Sequence, residues 1–221
     1  MLNLNKTKWM IINELSKQER TPTELAKKLK ITLPSVHLQL KDLQREGLVK
    51  KIENIKGKTR PYSGYSLGNG FIYFIKALPS EIDQRFLEVD QNLLLHLRIW
   101  SIPQKENHYY LENFWWQLQD YLDDFDAVVV YGSVAKGEAR EGSDIDILLL
   151  VKKDVKKYEN MYNAKMIGIR GKRKMIMCQV FRTEDFENSL KKGSDFAREI
   201  MKNSIVIYDP YYKFIKLKNE S

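Results

Sequence analysis

The stretch that decides the fold of the second half of this sequence is Phe125–Lys152, which reads FDAVVVYGSVAKGEAREGSDIDILLLVK. It contains two apolar runs, 127–131 and 147–151. Short, nearly continuous apolar runs are typical of strands that are buried on both faces. We therefore predict two buried strands, joined by a polar, glycine-containing segment that carries the chemistry.

The polar segment combines residues suited to a phosphate and to a metal ion. Gly132 removes the side chain where the backbone must approach a ligand. Ser133 lies at the predicted start of a short helix, whose free N–H groups and hydroxyl can hold phosphate oxygens. Asp144 and Asp146 are two residues apart, so their carboxylates project from one face of a strand. Adjacent carboxylates repel each other unless a cation lies between them, and Mg²⁺ prefers such hard oxygen ligands.

The pattern Gly-Ser-x-Ala-x-Gly, followed after five residues by Ser-Asp-x-Asp, resembles the signature of the DNA polymerase β-like nucleotidyltransferases, in particular their minimal and kanamycin-nucleotidyltransferase-like branch. The resemblance covers about 123–208 and implies a small mixed sheet with helices on one face. It implies binding of Mg²⁺ and a nucleoside triphosphate, with ATP expected, and transfer of a nucleoside monophosphate to an acceptor hydroxyl. The residues it implicates are Gly132, Ser133, Lys136 and Ser143 for the nucleotide, and Asp144 and Asp146 as catalytic metal ligands.

Two departures from the family pattern bear on activity. Lys136 stands where the family often has arginine, which keeps the charge but loses the forked donor. The family's third carboxylate, which completes the metal site and deprotonates the acceptor, belongs on a later strand. We predict that strand over 173–181, and it contains no Asp or Glu. Gln179 in that strand can form hydrogen bonds but cannot act as a base.

Other side chains near that strand have simpler interpretations. Cys178 is interpreted as a small buried side chain, because no paired base is evident. Glu184 and Asp185 are interpreted as N-terminal residues of the next helix. The missing acid leaves two hypotheses open: a DNA-binding regulator that also transfers nucleotides, and a regulator whose nucleotide pocket only senses its ligand. A third hypothesis, ranked lowest, is a transferase whose N-terminal module holds a protein or RNA acceptor.

The formal net charge of +8 lies entirely in the first third of the chain. Residues 1–70 hold 14 Lys and Arg against 6 Asp and Glu, whereas the remaining residues hold 23 of each. That asymmetry indicates an N-terminal module that meets a polyanion. Apolar spacing predicts three helices, the third opening at Thr32 and ending at Gly47, and then two strands over 48–54 and 62–67.

Helix, short helix, longer helix and basic hairpin is the order of a winged helix-turn-helix, and Thr32–Val49 resembles the recognition helix of ArsR- and MarR-like regulators. A helix fits the major groove of double-stranded DNA, and a cationic hairpin tip reaches an adjacent phosphate. The alternatives are a solvated helix face and a protein-docking winged helix, but the local charge favours DNA. The candidate DNA-binding residues are Ser35, His37, Leu38, Lys41 and Arg45 of the third helix, and Lys56, Lys58 and Arg60 of the loop between the strands.

Residues 71–122 are predicted to form a helical linker, with one helix over 79–100 and an aromatic second helix after an interruption at 101–107. Their apolar stripes indicate either core or a dimer seam. We expect a homodimer, because most helix-turn-helix operators mirror two-fold symmetry. Near the C-terminus, an amphipathic helix over 189–202 and a last strand over 204–208 are predicted.

The expected fold class is α+β with two domains: a winged helix-turn-helix over 1–70, the helical linker over 71–122, and a nucleotidyltransferase-like mixed sheet with helices over 123–221. With 43% apolar residues, the 221-residue chain is not wholly disordered. The single cysteine excludes an internal disulfide and a multi-thiolate metal site, which favours an intracellular protein. No apolar run approaches the roughly 18–20 residues needed to cross a bilayer, and the N-terminus lacks a signal-peptide core. We therefore expect a cytoplasmic protein.

Overall fold

The computed structural model describes residues 4–55, 62–169 and 171–220. The chain divides into two compact units, Met1–Val89 and Asp90–Ser221. The two-domain α+β organisation is confirmed. The boundary between the units falls at Val89 and Asp90, however, and not at the predicted positions 70 and 122.

Three helices begin the N-terminal unit: α1 (Lys6–Leu15), α2 (Pro22–Leu29) and α3 (Leu33–Arg45). Thr21 caps α2 in a capping box with Glu24, and Thr32 caps α3, as expected for hydroxyl side chains at helix starts. Gly47 follows α3 with a φ of 74°, so it ends the helix in a conformation that glycine adopts without strain. The three helices bury a shared core that includes Ile11, Ile12, Leu15, Leu25, Val36, Leu40 and Leu43.

The wing follows the helices as predicted. Strand β1 (Val49–Ile55) pairs antiparallel with β2 (Tyr62–Leu67), with Val49 opposite Leu67. The backbone of Tyr65 also forms two hydrogen bonds with Arg20, which tie the wing to the segment between α1 and α2. The predicted wing cations Lys56, Lys58 and Arg60 lie outside the described residues.

A second hairpin completes the N-terminal unit, and here the prediction of a helix over 79–100 is wrong in its first half. Strands β3 (Phe71–Leu78) and β4 (Glu81–Glu88) pair antiparallel without a bulge, and Ser80 closes the turn with a φ of 72°. The error comes from the four-residue spacing of Ile82 and Phe86, because residues four apart lie on one side of a helix and also on one face of a strand.

The C-terminal unit opens with the helical part of the predicted linker: α4 (Gln91–Trp100), a 3-10 turn over Lys105–Asn107, α5 (His108–Leu118) and a 3-10 turn over Gln119–Asp124. Part of the apolar surface of α4 and most of that of α5 belong to the core of this unit. The buried members are Leu95, Ile99, Leu111, Phe114, Trp115 and Leu118. These residues therefore are not a linker but one wall of the C-terminal unit.

The remaining elements alternate strands with short helices: β5 (Phe125–Tyr131), α6 (Gly132–Lys136), β6 (Ile145–Val151), α7 (Val155–Tyr162), β7 (Ala164–Ile169), β8 (Lys172–Arg182), α8 (Thr183–Lys191), α9 (Asp195–Lys202), β9 (Ile205–Tyr208) and α10 (Lys213–Glu220). The strands form one sheet in the order β7-β8-β6-β5-β9. Strands β6 and β8 are parallel and the other neighbours are antiparallel, so the predicted mixed sheet is confirmed.

Helices cover both faces of the sheet, which corrects the expectation of helices on one face. Alternate residues of β6 divide between two cores. Ile145, Ile147 and Leu149 face α4, α5 and α7, whereas Leu148 and Leu150 face α8, α9 and α10. The single helix predicted over 189–202 is two helices, α8 and α9, because Gly193 turns the chain between them with a φ of 81°. No helix in the described ranges is both long and apolar enough to cross a membrane.

Candidate nucleotide site and helix-turn-helix surface

The turn from β5 into α6 brings two predicted site residues into contact. Gly132 has a φ of 71°, and a Cβ at this position would overlap Oδ2 of Asp146 and lie 3.3 Å from its Cγ. Only glycine fits this turn, because any side chain would collide with the carboxylate and strain the backbone. The Gly-Ser turn and the Asp146 carboxylate, 14 residues apart along the chain, therefore share one site.

Asp146 lies on the sheet face that α8, α9 and α10 cover. Its neighbours across the strands are Tyr131 on β5 and Met177 on β8. The carboxylate is half-buried, and burial, with a smaller contribution from the charge of Asp144, raises its pKa. Asp144 itself is exposed. A cation bound between the two carboxylates would relieve their repulsion, so the pair is chemically suited to Mg²⁺.

Helix α9 borders this site, which the sequence did not predict. The ring of Tyr131 meets Phe196 of α9 edge-on, with centroids 5.7 Å apart. Burial, followed by the nearby Asp146 charge, raises the pKa of the Tyr131 phenol to about 12. Glu199, one turn further along α9, forms an ion pair with Lys136. That ion pair raises the pKa of Lys136 and lowers that of Glu199. Tyr131, Phe196 and Glu199 are thus neighbours of the site that no local motif marked.

The other predicted nucleotide-binding residues have identifiable local roles. The Ser143 hydroxyl accepts a hydrogen bond of 2.9 Å from the Arg140 N–H, and the Ser143 N–H donates one of 2.9 Å to the Arg140 carbonyl. These two bonds close the turn that delivers Asp144. Ser133 lies in the first turn of α6, next to Gly132, and its carbonyl accepts from the Glu138 N–H at 2.8 Å.

The loop that follows α6 is held from outside by the segment between α4 and α5. Gly137 ends α6 with a φ of 75°, and a Cβ there would lie 3.1 Å from Cβ of Pro103. The Gln104 amide donates a hydrogen bond of 2.6 Å to the carbonyl of Ala139. The interruption at 101–107 therefore fixes the loop between the Gly-Ser turn and the Asp pair.

Strand β8 provides no third carboxylate beside Asp146. The strand alternates, so Met175, Met177 and Gln179 share the face of Asp146. Cys178 points to the opposite face, is 2% exposed, and burial raises the pKa of its thiol, in agreement with the interpretation of a small buried side chain. Glu184 and Asp185 lie in the first turn of α8, as predicted. Within the described ranges, no group of three or more His, Cys, Asp and Glu side chains is placed to hold a metal ion.

The exposed side of α3 carries the predicted DNA-binding residues. His37, Leu38, Lys41 and Arg45 are exposed, and Ser35 is half-buried. Leu38 leaves 60% of its surface to solvent although it is apolar. Arg45 is within 3.4 Å of Asp42 on its own helix. The structure thus places these five side chains along one helix that packs its other side into the core of the N-terminal unit.

A buried carboxylate organises the helices behind α3. The carboxylate of Glu14 in α1 forms ion pairs with Lys28 of α2 at 2.8 Å, with Lys17 at 3.0 Å and with Arg20 at 3.1 Å. Hydrogen bonds from Lys28 and then Lys17 lower the pKa of Glu14 from 4.5 to about 2. Lys8 of α1 makes a separate ion pair of 3.1 Å with Asp42 of α3. Part of the basic excess therefore holds the unit together.

Comparison with known families agrees with both resemblances. Residues 5–51 match the family model described as bacterial regulatory protein, arsR family, and residues 117–211 match the model described as polymerase beta, nucleotidyltransferase. The chain therefore joins a helix-turn-helix unit to a nucleotidyltransferase-like unit. A search of curated proteins finds no match.

Two solved structures are similar to this chain at low identity. One is Bacillus subtilis PadR in complex with operator DNA, at 16% identity, with 55% of this chain and 75% of that chain covered and a TM-score of 0.28. The other is described as a nucleotidyltransferase from Sulfolobus solfataricus, at 15% identity, with 56% of this chain and 91% of that chain covered and a TM-score of 0.29.

Proposed function

We propose that this protein is a cytoplasmic DNA-binding transcriptional regulator whose nucleotidyltransferase-like unit binds a Mg²⁺–nucleoside triphosphate, with ATP expected, and transfers its nucleoside monophosphate to an acceptor hydroxyl. The observation that carries the proposal is the contact between Gly132 and Asp146. It brings a backbone turn suited to phosphates against a carboxylate suited to a metal ion.

Different residues of the site bind different parts of the Mg²⁺–nucleotide. The backbone of Gly132 and the hydroxyl of Ser133 hold terminal phosphate oxygens, and Lys136 adds positive charge beside them. Asp144 and Asp146 would hold Mg²⁺, which supplies charge neutralisation to the triphosphate and polarises the phosphorus under attack. Ser143 keeps the turn before Asp144 closed through its two hydrogen bonds with Arg140.

The proposed reaction is a displacement at the α-phosphorus of the nucleotide. The acceptor oxygen forms a bond to that phosphorus, and the bond from the phosphorus to the oxygen bridging toward the β-phosphate breaks. Pyrophosphate leaves with the electron pair of the broken bond, and the hydroxyl proton passes to solvent water. This chain contributes by positioning the two reactants and by the charges around them.

A labelling experiment tests transfer. The protein is incubated with Mg²⁺ and each of the four ribonucleotides carrying a labelled α-phosphate, together with cell extract or candidate acceptors. We expect labelled product from wild type and none from the Asp146→Asn variant. An Asp185→Asn variant is the matched control, because Asp185 is an acid of the same unit at the start of α8. Labelling that survives Asp146→Asn would contradict the assignment of the site.

Binding is tested separately from transfer by thermal unfolding. A ligand at about 100 times its dissociation constant stabilises the unit that binds it by roughly 2.7 kcal/mol, which shifts the midpoint by several degrees. We expect this shift with Mg²⁺ and ATP in wild type, and its loss in the Asp144→Asn and Asp146→Asn variants. The absence of a shift in wild type with any of the four ribonucleotides would refute nucleotide binding.

A second candidate function is nucleotide sensing without turnover. The observation that favours it is Met177, which occupies the β8 position paired with Asp146, where a carboxylate would complete the site. A sensor would show the Mg²⁺-dependent thermal shift but no labelled product, and its nucleotide would change the affinity for DNA. The two experiments above therefore separate the candidates.

DNA binding is proposed for α3 and the wing. The support is the excess of positive charge in residues 1–70, the exposed cations of α3, and the apolar side chain of Leu38, which suits a thymine methyl. In a salt titration, Lys41→Ala should make the slope of affinity against salt shallower by about one unit. Replacing Lys56, Lys58 and Arg60 together should reduce it by up to about three units, roughly one for each lost phosphate contact.

The control for these variants is Lys27→Ala, which removes an exposed cation from α2. We expect its salt slope to match wild type. Equal slopes for Lys41→Ala, the triple variant and wild type would exclude contact of these cations with DNA phosphates.

A further inference from the structure

Helix α9 contacts the chain on both sides of the Gly-Ser turn. The ring of Phe196 meets that of Tyr131, which precedes the turn, and Glu199 forms an ion pair of 2.5 Å with Lys136, which follows it. We propose that Glu199 is an internal competitor of the nucleotide: it pairs with Lys136, and the terminal phosphates of a bound nucleotide must displace it. The proposal rests on the nucleotide binding proposed above and adds a regulation of the same site.

The ion pair neutralises the cation that the nucleotide would use. Lys136 is the last residue of α6, three residues after Ser133. Its hydrogen bond to Glu199 raises the pKa of Lys136, and hydrogen bonds from Lys136 and then from Asn203 lower the pKa of Glu199. Both groups are therefore charged at neutral pH, and the carboxylate takes the place at the ammonium that a phosphate oxygen would take.

Two contacts of α9 hold Glu199 beside the turn. The side-chain amide of Asn203, at the end of α9, donates a hydrogen bond of 3.0 Å to Oε1 of Glu199. The ring contact between Phe196 and Tyr131 packs the same helix against the residue before Gly132. The position of the carboxylate therefore depends on α9 as well as on its ion pair.

A nucleoside triphosphate can displace this carboxylate. It brings several negative charges to the turn, whereas Glu199 brings one, and like charges side by side repel each other. The side chains of Lys136 and Glu199 are 34% and 48% exposed, so solvent screens their ion pair and limits its strength. After Lys136 and Asn203, the charge of Lys202 also lowers the pKa of Glu199, and this exposed lysine, three residues along α9, offers the displaced carboxylate a second cation. The ion pair therefore weakens nucleotide binding without preventing it.

A carboxylate that orients Lys136 toward the phosphates would have the opposite effect on affinity. An orienting carboxylate strengthens nucleotide binding, so its removal weakens binding. A competing carboxylate weakens nucleotide binding, so its removal strengthens binding. The sign of the change in affinity on replacing Glu199 therefore separates the two roles.

Isothermal titration calorimetry of the full chain with Mg²⁺–ATP, and separately with inorganic triphosphate and Mg²⁺, measures that sign. We expect Glu199→Gln to bind both ligands about two- to fivefold more tightly than wild type, which is the range expected for a solvent-exposed ion pair. The gain should be shared by inorganic triphosphate, because the competition concerns phosphates and not the base. Equal or weaker binding of both ligands by Glu199→Gln would overturn the proposal.

Asp195→Asn is the matched control, because Asp195 is an acid of the same helix whose carboxylate lies 3.6 Å from Arg198 of α9. We expect its affinity for both ligands to match wild type. A double-mutant cycle tests the dependence on Lys136: in the Lys136→Gln background, the gain from Glu199→Gln should largely disappear. An equal gain in both backgrounds would show that Glu199 acts without Lys136, and would overturn the proposal.

The competition and the proposed function fail in distinguishable ways. Acetylation of Lys136 by acetic anhydride, followed by mass spectrometry, reports the ion pair without any nucleotide, since only a deprotonated amine reacts. We expect faster acetylation of Lys136 in Glu199→Gln than in wild type and Asp195→Asn. If Lys136 shows this difference but wild type binds neither ligand, nucleotide binding is refuted, and the competition with it, although the ion pair exists. If wild type and Glu199→Gln bind Mg²⁺–ATP equally well, nucleotide binding stands and the competition is refuted.

Discussion

At the scale of single residues, the candidate site requires a residue without a side chain at position 132. Gly132 has no Cβ, and the carboxylate of Asp146 occupies the space where a Cβ would lie. The backbone there is also left-handed, a conformation that costs other residues roughly 1–3 kcal/mol. Steric overlap and backbone strain thus act at the same position.

We expect Gly132→Ala to destabilise the nucleotidyltransferase-like unit by about 2 kcal/mol and to abolish its Mg²⁺–ATP thermal shift, because Asp146 must move away from the turn. The measurement is thermal unfolding with and without ligand. Gly142→Ala is the control, since no atom lies within 4 Å of a Cβ at Gly142. A Gly132→Ala variant that binds ATP as wild type does would show that the turn tolerates the displacement.

Some residues of the candidate site can be predicted from the sequence and others cannot. Gly132, Ser133, Asp144 and Asp146 form a local motif, and short spacing along two strands determines their placement. Glu199 reaches Lys136 only because α9 folds back over the sheet. Such long-range contacts follow from tertiary packing, so no spacing rule in a single sequence indicated them.

At the scale of secondary structure elements, the helices of the helix-turn-helix unit are joined through one carboxylate. Lys28 of α2, and Lys17 and Arg20 of the segment between α1 and α2, converge on Glu14 of α1, which is buried. Since α3 packs on these helices, the arrangement that presents α3 depends on the charge of Glu14.

The pH dependence of this unit should report that charge. The pKa of Glu14 falls from 4.5 to about 2 on folding, so its stabilising contribution is complete above pH 4.5 and is lost as the pH falls toward 2. We expect the protection of α1–α3 amides from hydrogen exchange to decline across this window in wild type. In Glu14→Gln the protection should be lower above pH 4.5, and the decline should be smaller.

Glu19→Gln is the matched control, because Glu19 is an exposed acid of the neighbouring segment. Its protection profile should follow that of wild type. An unchanged profile in Glu14→Gln would mean that the three cations contribute nothing to the stability of the unit.

The sequence predicts an element correctly where its apolar spacing fits only a helix or only a strand. The prediction fails where the spacing fits both. Val36, Leu40 and Leu43 lie on one side of a helix but on different faces of a strand, and α3 was predicted correctly. Ile82 and Phe86 satisfy both periods, and β4 was mistaken for a helix. The break between α8 and α9 depends on the left-handed backbone at Gly193, which apolar spacing does not encode.

At the scale of the whole molecule, self-association remains a prediction. Leu95 and Ile99 of α4 and most of the apolar stripe of α5 are buried in the core, so these side chains are not free to form a dimer seam. The β3–β4 hairpin, in contrast, exposes Ile75, Leu78 and Ile82, the last at 81%. Two-stranded hairpins are marginal in water without packing, and a second copy of the chain would cover this tip.

We expect sedimentation to show a dimer, twice the 26.1 kDa of one chain, at micromolar concentration. Ile75→Lys/Ile82→Lys should shift it to the monomer, because charges would be buried without partners. Met166→Lys is the control, since Met166 is a similarly exposed apolar residue of β7. A monomer in wild type would refute the dimer, and a dimer that resists the double variant would exclude the hairpin as its seam.

The position of Cys178 gives this molecule a kinetic reporter. It is the one sulfhydryl of the 221-residue sequence, and the helix-turn-helix unit has none. It is buried on β8, which lies between β7 and β6 in the five-stranded sheet. A thiol-modifying dye can react only after the helices that cover this face of the sheet move away from Cys178, so the modification rate measures the opening of the C-terminal unit and does not respond to opening of the N-terminal unit. Saturating Mg²⁺–ATP should slow the modification of wild type and leave that of Asp146→Asn unchanged, which would time each opening of the unit without any engineered label.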